Sequence, residues 1–387
     1  MKTILYMVVA GLLFFFVIKI SKDLIPSDNE LQGWAKSQIQ EDIAVFEKNH
    51  KITSRNIDYA YKDLLKDKNN LLLRFQIFDG KLYSNYQEID RSNDLLVKSY
   101  RVFYKFFTAM LSTMSDDVNA DFIISVGDDL HIGDDYVFKA PIISGVRNKN
   151  KAYAKFLPLA PDHYTISDWS RLYNDILSSN ERYKWSDKIS KAFWRGAASS
   201  GVYTRSEWQY APRVKLVDLS VEHPSLLDAR FTELEMAQSD PNAMRSISEK
   251  YPLAVALTQV DHIKYKIQIS MEGFGVSLPG YLWRLLSNSA VLKLQSGSVQ
   301  WFYPILKEGV HYIPLSYDMT DTIDKIKWCL AHDAESKKIG EDGGRLIEKE
   351  ITPNHLYLYW SGLLKEYSKL MDKSASATLP SAQDIEQ

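Results

Sequence analysis

Residues 265–314 contain a run of short segments whose order constrains the fold more than any other part of the chain. A strand-like segment, 265–270, is followed by a glycine-containing loop, 271–277, a helix-like segment, 279–289, and a second strand-like segment, 290–294. Alternating strands and helices are typical of a parallel sheet with crossover helices. Glycines between a strand and a helix let a phosphate approach backbone N–H groups at the positive end of the helix. The pattern predicts an α/β fold and a loop that either binds phosphate, through Gly273 and Ser277, or serves only as a turn.

Three further motifs accompany this loop: Phe193 to Gly196, Trp301 to Pro304 and His311 to Pro314. Together, and in this order, the motifs resemble the family of Rumi-type protein O-glucosyltransferases, capsule-associated xylosyltransferases and LpsA-type lipopolysaccharide glycosyltransferases. The resemblance runs from about Asp121 to Leu370. It implies a GT-B fold, in which two Rossmann-like domains face each other across a cleft. It also implies inverting transfer from a UDP-sugar, with no metal and no other cofactor.

The segment pattern and the resemblance divide the chain into five parts. Residues 1–21 are predicted to be a membrane anchor, 22–185 an N-terminal Rossmann-like acceptor domain, and 186–350 a C-terminal Rossmann-like domain that binds the nucleotide sugar. Residues 351–371 are predicted to form a helix that crosses back to the first domain. The tail, 372–387, is rich in Ser, Ala and Gln, a composition typical of disorder.

The anchor prediction rests on the uncharged apolar run at residues 3–18, between Lys2 and Lys19. With Ile20 included and the lysines reaching the interface, residues 3–20 can span a bilayer. A cleavable signal peptide is the alternative, but no small-residue cleavage site follows the run. We therefore expect a single-pass signal anchor, in the ER or Golgi of a eukaryote or the inner membrane of a bacterium. The net charge of −2 does not suggest a nucleic-acid partner.

A catalytic base is predicted at the end of the buried strand that begins at Asp121. The resemblance assigns this role to Asp128, although Gly127 stands where eukaryotic members carry an arginine. Asp129 competes for the role, because adjacent side chains on an extended chain point in opposite directions and only one can face the cleft. His131 could assist the base or bind the acceptor.

Donor binding is predicted around the Phe193 to Gly196 motif. Arg195 offers a planar guanidinium that suits phosphate oxygens, and Gly196 and Ser199 follow with backbone and hydroxyl donors. Arg213 matches another arginine of the family and is equally consistent with a structural role. Gly280 replaces an arginine of the eukaryotic members, so the helix dipole and Ser277 must contribute more if that arginine neutralises a phosphate. Gln300 replaces a glutamate, which leaves ribose or acceptor recognition open.

The leading hypothesis is a membrane-anchored glycosyltransferase that moves a hexose or pentose from UDP-glucose, UDP-xylose or UDP-galactose. The acceptor hydroxyl would belong to a glycan, a lipid-linked saccharide such as lipopolysaccharide, or a protein. One alternative is a non-catalytic member that binds glycans or acts as a chaperone. Another is a metal-dependent GT-A enzyme, in which Asp128-Asp129 or Asp134-Asp135 holds Mn²⁺ or Mg²⁺.

Overall fold

The computed structural model describes residues 30–47, 51–113, 118–133, 135–199, 204, 206–234, 240–273, 275–372 and 375–382. Within these ranges, no helix is both long enough and apolar enough to cross a bilayer. The predicted anchor at residues 3–20 lies outside the described residues.

The described residues contain strands in two main sheets and a short ribbon. The strands are β1 (Leu72–Phe78), β2 (Lys81–Ser84), β3 (Ala120–Ser125), β4 (Ile142–Ser144), β5 (Arg147–Asn148), β6 (Ile189–Ala198), β7 (Leu227–Leu234), β8 (Tyr265–Ser270), β9 (Ala290–Leu294), β10 (Ser298–Val299) and β11 (Ile313–Leu315).

The α-helices surround both sheets. They are α1 (Gly33–Glu47), α2 (Ser54–Leu64), α3 (Asp94–Thr113), α4 (His163–Arg182), α5 (Pro212–Glu222), α6 (Pro241–Lys250), α7 (Gln259–His262), α8 (Gly280–Leu286), α9 (Thr322–Ala331), α10 (Asp333–Glu350) and α11 (Pro353–Leu370).

The first sheet has the order β2-β1-β3-β4 and is mixed. β1 pairs antiparallel with both β2 and β3, and only β3 and β4 are parallel. A two-residue turn joins β1 to β2, with positive φ angles of 50° at Asp79 and 68° at Gly80. Such a short connection can join only antiparallel strands. The first sheet therefore differs from the parallel sheet expected of a Rossmann-like N-terminal domain.

The second sheet is parallel, with the order β11-β9-β8-β6-β7. The predicted strand, loop, helix and strand at residues 265–294 are confirmed as β8, α8 and β9. β9 is buried along its whole length, as expected for a strand inside a sheet that is covered on both faces. The mixed α/β class predicted from the sequence is thus confirmed.

Two apolar cores lie beside these sheets. One contains the first sheet with α1, α3 and α11, and the other contains the second sheet with α5, α6 and α9. The apolar side chains of α8 belong to the first core, although α8 follows directly from a strand of the second sheet. α8 and its preceding loop therefore lie where the two halves of the molecule meet.

The C-terminal segments pack on the first half. α11 contributes Trp360, whose indole N–H donates to Pro161 O at 3.0 Å. In the segment that follows α11, the backbone N–H groups of Thr378 and Leu379 donate to the side-chain oxygen of Gln76, at 2.8 Å and 2.9 Å. Ala382 is fully buried. The prediction of a disordered tail is therefore wrong for residues 375–382, because a buried polar side chain of β1 holds this segment.

Candidate active site

An open cavity of about 460 Å³ lies at the carboxyl ends of β8, β9 and β11. This is the edge at which ligands bind in open parallel sheets. The ribbon formed by β5 and β10 brings the first half of the chain to the same cavity. Its lining is mainly polar: Asn148, Asn150, Pro212, Glu272, Gly273, Leu294, Gln295, Ser296, Gly297, Ser298 and Tyr317.

A larger cavity, of about 540 Å³, lies between α3, α4 and α11. Its lining includes the stacked rings of Phe106 and Tyr357, 4.4 Å apart between centroids. The cavity is remote from the carboxyl ends of the parallel strands, and none of the predicted site residues lines it. We therefore place the candidate site at the smaller, polar cavity.

Arg213 is the centre of a compact cluster beside the polar cavity. It lies in the first turn of α5, and its guanidinium donates to Glu272 O at 2.7 Å, Ala197 O at 2.7 Å and the Ser199 hydroxyl at 2.8 Å. Gly273 packs closely here, since a Cβ on it would lie 3.1 Å from Arg213 Nη2 and 3.2 Å from Ser199 Oγ. Three predicted donor-binding residues, Ser199, Arg213 and Gly273, are thus brought together.

Asp128 reaches the same loop from the opposite side. It follows β3, and a Cβ built on Gly275 would lie 2.9 Å from Asp128 Oδ1. The Asp128 side chain keeps contact with solvent, but the surrounding protein desolvates its carboxyl group enough to raise the pKa. The negative charges of Asp162 and Asp129 raise the Asp128 pKa further, and Arg213 opposes them. A carboxylate with a raised pKa is a stronger proton acceptor.

Asp129 points elsewhere, as the alternation along an extended chain predicts. Its Oδ1 accepts from the Tyr153 hydroxyl at 2.8 Å and from Leu130 N at 2.9 Å. His131 is fixed through its backbone, because its N–H donates to Asn70 Oδ1 at 2.8 Å and its carbonyl accepts from Asn70 Nδ2 at 3.1 Å. The geometry therefore separates Asp128, at the loop, from Asp129, in a local network.

Arg195 lies within β6, and its guanidinium is turned toward the neighbouring strand. It forms an ion pair with Asp228 at 3.0 Å, donates to Asp228 O at 3.0 Å and stacks over Phe193. Gly196 lies in the same strand against the Trp194 ring, with which a Cβ would collide. The structure thus places Arg195 and Gly196 in the packing of the sheet, whereas Arg213 contacts the Gly273 loop.

The start of α8 holds a further polar group. A Cβ on Gly280 would overlap the Ser277 hydroxyl and lie 2.9 Å from Arg284 Nη1. Gln300, another predicted site residue, is only 1% exposed and lies in the interior. Ser277 is therefore next to a guanidinium that the sequence analysis did not consider.

Sequence reasoning also missed Glu272, Lys293 and Asp162. Lys293 donates to Glu272 Oε1 at 2.7 Å, and this buried ion pair supports the loop whose carbonyl contacts Arg213. The sequence signal for this ion pair is Lys293 itself, a charged residue inside the otherwise apolar segment 290–294. Asp162 caps α4 by accepting from Tyr164 N at 2.9 Å and Thr165 N at 3.0 Å, and its charge acts on Asp128.

No group of three or more His, Cys, Asp or Glu side chains suited to a metal ion occurs in the described part of the chain. Asp134, one of the acidic residues considered as a ligand, lies outside it.

Sequence comparison decides the family. The profile described as "Glycosyl transferase family 90" matches residues 35–385. The chain belongs to glycosyl transferase family 90. The match covers both sheets and all the candidate site residues described above, so the resemblance inferred from the motifs is confirmed.

Curated relatives of this family 90 chain include protein O-glucosyltransferase 3 of Mus musculus. It is 32% identical over 209 residues, which are 54% of this chain and 38% of the relative. Protein O-glucosyltransferase 1 of Homo sapiens is 29% identical over 206 residues, which are 53% of this chain and 48% of the relative. The matched region thus spans less than half the length of each of these relatives.

Solved structures similar to the family 90 chain include two proteins of low sequence identity. Anabaena HepE, in complex with UDP and glucose, has a TM-score of 0.38 and 9% identity, covering 58% of this chain and 62% of HepE. A glycosyltransferase from Rickettsia africae has a TM-score of 0.38 and 10% identity, covering 61% of this chain and 64% of its own. Scores below 0.5 do not establish a common overall fold.

Proposed function

We propose that this chain is an inverting glycosyltransferase of GT-B architecture that moves a hexose or pentose from a UDP-sugar to a hydroxyl group. One observation carries the proposal: Asp128 and the cluster of Arg213, Ser199 and Gly273 meet at a single loop. A proton acceptor therefore lies beside groups suited to a diphosphate. The relatives named protein O-glucosyltransferases support a glucose-type donor.

In the proposed reaction, Asp128 acts on the acceptor, and Arg213 and Ser199 act on the leaving group. Asp128 takes the proton of the acceptor hydroxyl while that oxygen attacks C1 of the sugar. The bond between C1 and the diphosphate oxygen breaks on the opposite face, so the configuration inverts and UDP leaves with the electron pair. Arg213 and the Ser199 hydroxyl stabilise the charge that develops on the diphosphate. UDP-glucose, UDP-xylose and UDP-galactose are the candidate donors, and glycan, lipopolysaccharide or protein hydroxyls the candidate acceptors.

Substitution of Asp128 tests the base. With the full chain and a panel of acceptors, Asp128→Asn is expected to lower the rate of transfer about 10²–10⁴-fold, because an amide cannot accept the proton. UDP affinity should stay within about twofold of wild type, since the diphosphate groups are unchanged. Transfer is measured as UDP release and as glycosylated product.

Asp129→Asn is the matched control, because it changes an adjacent carboxylate that is bonded to Tyr153. It is expected to lower the melting temperature while turnover per folded molecule is kept. If Asp129→Asn abolished transfer and Asp128→Asn did not, the assignment of the base would be wrong. UDP binding without transfer to any acceptor would instead favour a non-catalytic, glycan-binding member.

We further propose that the reaction needs no metal, because Arg213 and the Ser199 hydroxyl can supply the positive charge and the donors that a cation would otherwise give a diphosphate. Turnover is therefore expected to persist in excess EDTA. The measurement is UDP release by protein that has been dialysed against EDTA and assayed with and without Mn²⁺ or Mg²⁺. Loss of turnover on chelation, followed by recovery with Mn²⁺, would favour the metal-dependent alternative.

A further inference from the structure

Arg284 is a buried guanidinium without a carboxylate partner among the residues that the structure describes. It is 6% exposed, and its Nη1 donates to Gly280 O, one turn earlier in α8, at 2.9 Å. Its Nε is buried and has no hydrogen-bond partner. By contrast, buried Arg74 forms ion pairs with Asp121 and Asp58. The Arg284 guanidinium also lies over the Trp283 ring, 4.2 Å from its centroid. A buried charge with no carboxylate partner still opposes folding, so its presence requires an explanation.

The position of Arg284 supplies the first part of that explanation. Helical side chains lean toward the N-terminal end, so residue 284 lies over residue 280. Gly280 leaves this space open, because a Cβ there would lie 2.9 Å from Arg284 Nη1. The guanidinium and the Ser277 hydroxyl therefore both border the space that the missing side chain of Gly280 leaves open, at the end of the loop that follows β8.

A second guanidinium lies close enough to interact with it. Burial lowers the pKa of Arg284 to about 9, and the positive charge of Arg213 contributes to that decrease. The two guanidinium charges repel each other. An anion with more than one charge would satisfy the unused donor and remove the repulsion, and a diphosphate has these properties.

We propose that Arg284 binds the diphosphate of the nucleotide-sugar donor together with Arg213 and Ser277. In this arrangement the electron pair released from the bond to C1 is stabilised by two guanidinium groups. The inference rests on the proposed function and extends it by naming a donor-binding residue on α8. It also implies that Gly280 is required because any side chain there would displace the Arg284 guanidinium.

Removal of the guanidinium is the first test. Arg284→Met keeps much of the side-chain volume without the charge, and is expected to weaken UDP binding roughly tenfold or more. Uridine, which lacks phosphate, should bind wild type and variant equally. Titration calorimetry with UDP and uridine measures both affinities. The matched control is Arg171→Met, which removes an exposed arginine of α4 and should change neither affinity.

Thermal stability and a lysine variant complete the test. Loss of an uncompensated charge should leave the melting temperature of the ligand-free protein unchanged or higher. Arg284→Lys keeps the charge without the fork and should bind UDP with intermediate affinity.

The outcomes separate this inference from the proposal on which it rests. Wild-type affinity of Arg284→Met for UDP would overturn the inference and leave the proposed function standing. An equal loss of UDP and uridine affinity would also overturn it, because a general distortion would then explain the result. A wild-type chain that binds no UDP would overturn the proposed donor, and the inference with it.

Discussion

At the scale of single residues, the neighbours of each arginine distinguish its role better than its position in a motif. Arg195 follows Phe193 and Trp194 in a family motif, but its guanidinium is paired with Asp228. Arg213 contacts carbonyl oxygens and the Ser199 hydroxyl beside the Gly273 loop. We therefore expect opposite effects when each is replaced by lysine.

Arg213→Lys is expected to weaken UDP binding about tenfold, because lysine cannot contact Glu272 O, Ala197 O and a phosphate at once. Arg195→Lys is expected to lower the free energy of unfolding by roughly 1–2 kcal/mol, with unchanged UDP affinity per folded molecule. Calorimetric titration with UDP and thermal unfolding of both variants measure these effects. Weaker UDP binding in Arg195→Lys alone would return the phosphate role to Arg195.

The sequence predicts which single residues belong to the candidate site more readily than it predicts which of them lie together in the fold. Asp128, Ser199, Arg213 and Gly273 were predicted separately, and the structure places them around one loop. The sequence analysis did not identify Arg284, because the eukaryotic family members carry their arginine at the position of Gly280. A guanidinium one helical turn later reaches the same space, and no pattern in the sequence states this.

At the scale of elements, segments with local signals were predictable. The strand, loop, helix and strand at 265–294 are present as expected. The turn between β1 and β2 has a local signal of the same kind, because Asp79-Gly80 is a common hairpin sequence. The mixed order of the first sheet was not predictable, because the pairing of β1 with β3 joins segments separated by a long helix. Strand pairing over such distances depends on the whole core rather than on local pattern.

Close packing explains why α10 contains three glycines. Gly340, Gly343 and Gly344 lower helix propensity, yet all three lie within the 18 residues of α10. Each faces a close neighbour: a Cβ on Gly340 would lie 2.7 Å from the backbone carbon of Ser289, and one on Gly343 would lie 2.7 Å from His311 O. The glycines let α10 approach the chain beside β9.

Gly340→Ala is therefore expected to lower the free energy of unfolding by about 1–3 kcal/mol, because the added methyl group meets rigid backbone. Gly33→Ala is the matched control, since no atom lies within 4 Å of the added Cβ. That change should be neutral or slightly stabilising. Urea denaturation of both variants provides the measurement. An equal or higher stability of Gly340→Ala would show that α10 can shift without cost.

At the scale of the whole molecule, two of the connections between the sheets lie next to the candidate site. α8 contributes its apolar side chains to the first core, although it follows β8 of the second sheet. The β5–β10 ribbon joins the halves a second time, next to the polar cavity. Asp128 and Gly275 approach each other between these two connections. The geometry of the candidate site thus depends on the fold of both halves.

The segment 375–382 also shields an edge of the first sheet. β2 is an outer strand of the first sheet, and the segment covers it: Ser84 N donates to Pro380 O at 3.2 Å, and Tyr83 bridges to Ser381. A bare outer strand can pair with a strand of another molecule. A chain truncated after residue 374 should therefore self-associate as its concentration rises, whereas one truncated after residue 382 should not. Light scattering at matched concentrations would detect the difference, and equal behaviour of the two chains would show that β2 needs no such protection.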